Sequence, residues 1–410
     1  MKIKRVLFVI NFYVNTTPNH NNVFDHPISI GDINKNSIYK KMLSSFEKMF
    51  VSDNIEVKFL FFAIGTDSSN RTRRRFLYGY ADGRIKKVMK ELLNNYHINS
   101  GVITNVDMIK LSKISNNKNF LKSDNYGSIR NLGFIFANIY DVDLLIQIDD
   151  DEIVSEDYLK TVINTIEEYN IDAFSGFYLE NNSVFPSAKD ILKTWPKFSY
   201  MSKDVERLTK DDSLKPAIYG KGGNMIFTKN FFSKICYPSY VFRGEDFSLL
   251  LASWIIYKNG NELAEIEKNN QIFKTYFLPT ENIAVDHHPI KQSNKNQLYY
   301  LFKNLLRFAF DRNLFLHQNK LTNEELEKYG YYMYKMICID DYIKHINNIF
   351  GEFREKFSSE YKKERIISTQ KSLIELVIQI NKRDLFQEYK VFQKEYVEFI
   401  RILKDTAKKS

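Results

Sequence analysis

In the stretch Asn125-Tyr-Gly-Ser-Ile-Arg-Asn-Leu-Gly-Phe-Ile-Phe-Ala-Asn-Ile-Tyr-Asp-Val-Asp-Leu-Leu-Ile-Gln-Ile-Asp-Asp-Asp-Glu152, a helical period gives way to a strand. Residues 129–139 carry apolar side chains at helical spacing, whereas 143–148 form a short apolar run that stops in four acids. Working outward, Val6–Tyr13 and Val57–Ile64 are short runs rich in Val, Ile and Phe, as buried strands are. Between them, Ser37–Phe50 places Ile38, Met42, Leu43, Phe46, Met49 and Phe50 at helical spacing. Arg84–Tyr96 repeats the pattern with Ile85, Val88, Met89, Leu92 and Leu93. Such alternation predicts an α/β fold, with a mostly parallel central sheet and helices on both faces.

Further along, Ala173–Leu179 and Gly223–Phe227 read as strands and Asp246–Lys258 as a buried helix. From about Leu298 the character changes. Leu298–Phe310, Asn323–Phe353 and Lys362–Asp405 combine helical periodicity, dense charge and almost no glycine or proline. The expected division is therefore 1–297, carrying the sheet, and 298–410, a helical region for packing, oligomerisation, or acceptor or membrane contact. Phe386, Tyr389, Phe392, Tyr396 and Phe399 form a packing face that suits either a homodimer or the preceding domain.

Composition limits the classes. With 410 residues, 44% hydrophobic and 15% aromatic, the chain has material for a large core, which excludes disorder throughout. Scarce glycine (15) and proline (8) exclude collagen-like and low-complexity architectures. Two cysteines, Cys236 and Cys338, exclude a disulfide scaffold and a thiolate zinc cluster, and they favour a reducing, cytoplasmic setting. The net charge of +9 is compatible with nucleic acid, anionic lipid or phosphate-bearing substrates and does not choose among them. Lys2, Lys4 and Arg5 ahead of Val6–Val14 look superficially like a signal peptide. Asn11 interrupts that run, however, and Asn15-Thr-Thr-Pro18 offers no small-x-small cleavage site, so it reads as a first strand. No stretch reaches the ~18 apolar residues a transmembrane helix needs, which leaves peripheral contact with the inner face of a membrane as the expectation beside a soluble protein.

The acids after 148 carry the chemistry. In an extended segment Asp149 and Asp151 point the same way, about 7 Å apart at Cα. At a strand's carboxyl end such a pair suits a hard divalent cation with positions open to phosphate oxygens. A solvated acidic turn is the plain alternative. Its neighbours are Gly220-Lys-Gly-Gly223, then Arg243-Gly-Glu-Asp246 opening an apolar helix, then Val285-Asp-His-His-Pro289. In that order the segments N-Y-G-S-I-R-N-L-G, I-D-D-D-E and R-G-E-D-F-S-L-L-L resemble the motifs of GT-A fold glycosyltransferases, most closely the family 2 group. The resemblance covers roughly residues 4–290. Thr66-Asp67-Ser68-Ser69 is faintly similar to that group's acidic segment after the second strand. The Arg130 motif stands further from the acids than is usual there, and the loop from Asn15 to Asn36 is longer.

The resemblance implies a GT-A (Rossmann-like) catalytic domain that transfers a sugar from a nucleotide donor, UDP-sugar favoured and GDP-sugar as an option. The acceptor would be a hydroxyl of a glycan, a lipid-linked saccharide or a protein. It implies a Mn²⁺ or Mg²⁺ ion held by Asp151, with Asp149 on metal or ribose and His287 or His288 as a further ligand; adjacent strand residues point oppositely, so one histidine serves. It further implies Asp246 as general base of an inverting displacement and Glu245 as a binder of acceptor hydroxyls. Donor contacts are expected from Asn11, Asp67, Arg130, Asp149, Asp150, Lys221, Gly222 and Gly223. Plain readings stand beside these: strand-end histidines, a helix-capping pair at 245–246, an arginine paired with a nearby acid, and glycines marking a turn.

Arg71, Arg73, Arg74, Arg75, Arg84, Lys86, Lys87 and Lys90, with only Asp82 against them, sum to +7 across residues 71–90. This is a site for a phosphorylated carrier, an anionic glycan or a membrane surface, or else a solvated helix face. Retention of configuration is the alternative stereochemistry. A sugar nucleotidyltransferase is disfavoured because Asn11-Phe-Tyr-Val-Asn-Thr-Thr-Pro18 has no glycine after the first strand. No nucleic acid is expected as a partner, since recognised binding motifs are missing.

Overall fold

The first strand, β1 (Arg5–Asn15), is buried along nearly its whole length, and its parity sorts the interior into two cores. Leu7, Val9 and Tyr13 face one side of the sheet, while Val6, Phe8, Ile10, Phe12 and Val14 face the other. The computed structural model describes residues 2–15, 27–65, 74–114, 120–122, 125–241, 243–256, 272–288 and 297–407, with backbone alone at 74–81, 114 and 407. The remaining strands are β2 (Ile28–Ser29), β3 (Glu56–Gly65), β4 (Ser100–Thr104), β5 (Leu144–Asp149), β6 (Glu152–Ile153), β7 (Ala173–Ser175), β8 (Tyr178–Leu179), β9 (Lys215–Pro216), β10 (Asn224–Thr228), β11 (Tyr276–Phe277) and β12 (Val285–His287).

The main sheet has nine strands in the order β4-β3-β1-β5-β10-β7-β11-β9, with β2 added to β1. Strands β4, β3, β1 and β5 are mutually parallel, and β10 runs antiparallel between β5 and β7. This is the mostly parallel α/β sheet that the alternation predicts. One face is covered by α1 (Ser37–Lys48), α2 (Arg74–Leu93) and, after α3 (Asn105–Ile114) and α4 (Tyr126–Ile139), by α5 (Tyr158–Tyr169). The other face is covered by α4 itself, α6 (Lys197–Leu208), the short α7 (Lys229–Phe232) and α8 (Glu245–Ile255). Asn36 and Asn125 cap α1 and α4, each side-chain oxygen accepting from a first-turn N–H.

Ala173–Leu179 is not one strand. Gly176 divides it, because a side chain there would run into Ile283 and would sit 2.7 Å from the Ile283 carbonyl. The chain leaves the main sheet at Ser175 and enters a small sheet, β6-β12-β8. In its register His287 lies opposite Glu152 and Val285 opposite Tyr178. Residues more than a hundred positions apart are brought together by this sheet.

Gln297–Leu316 (α9), Asn323–Tyr329 (α10), Tyr331–Ile337 (α11), Tyr342–Lys356 (α12), Lys363–Ile380 (α13) and Leu385–Ala407 (α14) form the C-terminal helical region. It shares one continuous core with the α4 face of the sheet, from Leu7 to Leu403. Along α14 the aromatic face turns inward: Tyr389 Oη donates to the Cys236 carbonyl at 2.8 Å, Tyr396 Oη donates to the Phe232 carbonyl at 2.7 Å, and Phe120 stacks on Phe399. That face packs on the chain's own α/β portion. Among the described residues, no helix is long and apolar enough to cross a membrane.

Candidate active site

The carboxyl ends of β1 and β5, the turn after β5, and the starts of α6 and α8 surround a cleft of about 430 Å³. Strand β5 ends at Asp149 and residues 150–151 form a turn, so the extended alternation expected through Asp151 stops one residue into the acidic run. Consequently the three aspartates diverge. Asp149 Oδ1 receives Arg130 Nη2 at 2.6 Å. Asp150 accepts from Tyr39 Oη at 2.9 Å. Asp151 Oδ2 lies 3.6 Å from His287 Nε2. Burial lifts the Asp150 and Asp151 carboxyls to about 7, with the neighbouring acids adding to the rise.

Glu152 is the residue that sequence reasoning passed over. It is fully buried, and its Oε2 accepts the Asp149 backbone N–H at 2.9 Å. Gly223 packs so closely on the carboxylate that any side chain there would collide with it. Asp151, Glu152 and His287 each offer a ligand atom, and these atoms lie within 4.8 Å of one another. His287 Nδ1 is 3.2 Å from Glu180 Oε1. A carboxylate only accepts, so Nδ1 carries a proton, and Nε2 is the ring nitrogen turned toward Asp151. The bond from His287 holds the Glu180 carboxyl down to about 2. Tyr178 stacks on the imidazole at 4.5 Å between centroids. His288 turns away, its ring Nε2 2.9 Å from Asp286 Oδ2 while its backbone N–H donates to the Asp151 carbonyl. Two carboxylates and one oriented imidazole, with no hydrogen bond of ordinary geometry reaching Glu152 Oε1 among the described residues, fit a Mn²⁺ or Mg²⁺ ion. Asp149 is not part of that cluster.

Across the cleft, Gly244 adopts φ 68° and opens α8 with Glu245 and Asp246 in its first turn. Glu245 is buried and takes Arg130 Nε at 3.3 Å. Burial raises its carboxyl, against the lowering pull of Arg130. Arg130 is thus a buried bridge between Asp149 and Glu245. Asp246 faces the cleft beside Gly222, at which an added Cβ would lie 3.6 Å from Asp246 Cβ and 3.3 Å from Arg130 Nη2. Lys221 also lines the cleft, its ammonium 5.2 Å from the Tyr178 ring centroid, and burial lowers its basicity. Asn11, in register with Asp149 on β1, is buried on the same side as Tyr13; it does not line the cleft, and its amide makes no ordinary hydrogen bond among the described residues.

Asp67, Arg71, Arg73 and most of the long loop after Asn15 lie outside the described residues, as do the side chains of Arg74 and Arg75. Of the rest of the basic segment, Lys86 pairs with Asp107 at 2.7 Å, and Arg84, Lys87 and Lys90 are exposed on α2. Glu180, Lys197, Arg243, Arg307 and Tyr332 also line the cleft and were not singled out beforehand. Only Arg243, beside the Gly-Glu-Asp segment, had a local signal.

No family model and no curated protein matches the chain. Among solved structures, residues 1–349 of S. aureus TarS align over 100% of this chain and 92% of that one, at 10% identity and TM-score 0.42; that fragment was also solved with UDP and with UDP-GlcNAc. A mycobacterial protein aligns over 75% of this chain and 73% of its own, at 8% identity and TM-score 0.37. Likenesses at this level carry no argument, and the fold assignment rests on strand order and direction.

Proposed function

We propose that the chain is a divalent-metal-dependent glycosyltransferase that moves a sugar from a nucleotide-sugar donor, UDP-sugar foremost, to an acceptor hydroxyl with inversion. One observation carries this reading: Asp151 and His287 line the same cleft as Asp246 at the carboxyl end of β5, with the buried Glu152 carboxylate beside them. A parallel sheet's carboxyl edge is where ligands meet α/β proteins. A Mn²⁺ or Mg²⁺ ion would be held by Asp151, Glu152 and His287 and would supply Lewis-acid neutralisation of the leaving diphosphate.

The chain's own groups do the rest. Glu180 fixes the His287 ring, and Arg130 holds Asp149 and Glu245 in place. Lys221 adds positive charge beside the donor. Asp246 takes the acceptor proton as the acceptor oxygen bonds to the anomeric carbon and the bond from that carbon to the diphosphate oxygen breaks. The nucleoside diphosphate leaves, and Asp246 returns its proton to solvent.

The test is a thermal-shift panel of UDP-, GDP-, CMP- and dTDP-sugars with and without Mn²⁺. A donor at a hundred times its dissociation constant adds about 2.7 kcal/mol of native-state stability. A shift that needs both metal and one nucleotide is the expected result, and no shift with any pair refutes the site. Asp246→Asn should keep that shift and lose transfer by about 10²–10⁴-fold; turnover near wild type would remove Asp246 as the base.

A further inference from the structure

The small sheet sets an aromatic side chain against the metal group. In the parallel pairing of β8 with β12, Tyr178 stands opposite Val285. His287, two residues further along the extended β12, lies on the same side of the sheet as Val285. A diagonal neighbour at that spacing is within reach of an aromatic ring. The Tyr178 ring accordingly meets the imidazole, with centroids 4.5 Å apart and planes 28° from parallel. Two residues after Tyr178, Glu180 Oε1 accepts from His287 Nδ1 at 3.2 Å. One short segment therefore meets His287 twice, at its edge and on its face. An imidazole turns easily about its terminal torsion, so a hydrogen bond at one edge leaves the plane of the ring free to swing. A second ring laid on its face removes that freedom.

The hydroxyl of the same tyrosine reaches the other side of the group. It accepts the Gly223 backbone N–H at 2.5 Å. Gly223 is the residue whose backbone packs on the buried Glu152 carboxylate and leaves no room for a side chain. Burial, then the charges of Glu152 and Asp149, hold the phenol well above its ordinary value, so the hydroxyl is neutral and keeps a proton to give after accepting from Gly223. Burial, then Asp149 and Asp151, raise the Glu152 carboxyl, and the Tyr178 hydroxyl opposes that rise. The ring also stands 5.2 Å from the Lys221 ammonium. Tyr178 is half-buried in the wall of the cleft. An aliphatic side chain could fill that wall, but it could neither stack on a planar imidazole nor accept from Gly223.

We propose that Tyr178 is a positioning residue of the metal group: its ring fixes the plane of the His287 imidazole, and its hydroxyl, through Gly223, fixes the seat of Glu152. Both ligands are then set before an ion arrives. This rests on the metal group of the proposed function and not on sugar transfer. Removing a group that orients a metal ligand lowers metal affinity by about 10–100-fold. Tyr178→Phe keeps the stack and loses the hydroxyl, whereas Tyr178→Leu loses both, so the losses should come in that order.

The test titrates Mn²⁺ into the full chain, first without nucleotide and then with saturating UDP, and reads the free ion by electron paramagnetic resonance. Affinity should fall about tenfold in Tyr178→Phe and about a hundredfold in Tyr178→Leu, with melts taken without metal to confirm that each variant is folded. Tyr389→Phe is the control. It removes a buried hydroxyl bond from α14 to a backbone carbonyl, away from the cleft, and should leave Mn²⁺ affinity unchanged. An unchanged affinity in Tyr178→Phe, which keeps the volume of the ring and so its packing, overturns the proposal, as does an equal loss in Tyr389→Phe; a donor shift that persists in wild type would leave the transferase reading standing. Ordered losses support the proposal even where no nucleotide sugar shifts the melt, an outcome that refutes the transferase reading alone. A wild-type chain that takes up no Mn²⁺ in either condition overturns it together with the metal site.

Discussion

Replacing Arg130 with methionine keeps much of the apolar stem and removes the cation joining the two halves of the cleft. The guanidinium holds Asp149 at 2.6 Å and Glu245 at 3.3 Å, and the side chains are 4%, 30% and 8% exposed respectively. Removing one partner of a buried ion pair costs about 3–5 kcal/mol, because it leaves an uncompensated charge. Water reaches Asp149, so most of the loss falls on Glu245. Glu245 limits that loss by binding a proton, each unit of pKa rise being worth about 1.4 kcal/mol. Its carboxyl is already raised by burial and rises further without Arg130. A carboxyl raised in the folded state favours folding below its unfolded pKa, and that contribution is lost as pH climbs through the folded pKa. The deficit of the variant against wild type should therefore grow from pH 5 to pH 8, reaching about 3–5 kcal/mol at the alkaline end. At about 2.1 cal/mol/K per residue, the 410 residues give an unfolding entropy near 0.9 kcal/mol/K, so the melting temperature should drop by about 4–6 °C. Circular dichroism melts of both proteins at pH 5.5 and 8 read this directly. A deficit below about 1 kcal/mol, or one that shrinks toward alkaline pH, would show that Arg130 does not hold Glu245 as a charged partner.

Two further outcomes follow from the same geometry. Asp151→Asn and His287→Gln should each remove the Mn²⁺-dependent part of the donor shift while leaving the unliganded melting temperature within a few degrees of wild type; a shift that survives in both would place the metal elsewhere. Tyr389→Phe and Tyr396→Phe each delete a buried hydroxyl bond from α14 to a backbone carbonyl. Each should cost about 1 kcal/mol in chemical denaturation, with near-additive losses in the double variant, and no loss in either would mean that α14 is not docked as described.

The strands that read most plainly from the sequence, β1, β3 and β5, are those buried on both faces, where a continuous apolar run has no competing explanation. Strand β4 escaped because it is largely half-exposed at the sheet edge, and its Ser-Gly-Val-Ile-Thr carries little apolar signal. Helix α5 was legible in principle, since Tyr158, Leu159, Val162, Ile163 and Ile166 keep a helical period, and it was overlooked beside the acids. The single strand expected at Ala173–Leu179 was broken by a tertiary contact at Gly176, which no local propensity records. In the site, the acidic run, the histidine pair and Glu245–Asp246 were visible as residue types in order. Their directions were not, because a turn beginning at Asp150 sends each aspartate to a partner on a different element. Lys197, Glu180 and Arg307 had no sequence signal, since each acquires its role from a neighbour brought in by the fold.

That last point bears on what the helical region is for. Asn304, Arg307 and Tyr332 reach into the cleft from α9 and α11. Arg307 also donates to the carbonyl of Gly244, the left-handed residue from which α8 and its Glu245–Asp246 pair begin. A side chain at Gly244 would displace that guanidinium. Asp204 of α6 accepts the Tyr331 and Tyr332 backbone N–H groups at 3.2 and 2.7 Å, which fixes the start of α11 against the α/β portion. The position of Asp246 is therefore set from both sides of residue 297: by Arg130 through Glu245 on the sheet side, and by Arg307 through Gly244 on the helical side. An appended domain would leave the geometry of the first 297 residues intact when removed. Here the removal would take away a wall of the cleft, the support of its α8 turn and a large part of a shared core, so the helical region belongs to the construction of the site.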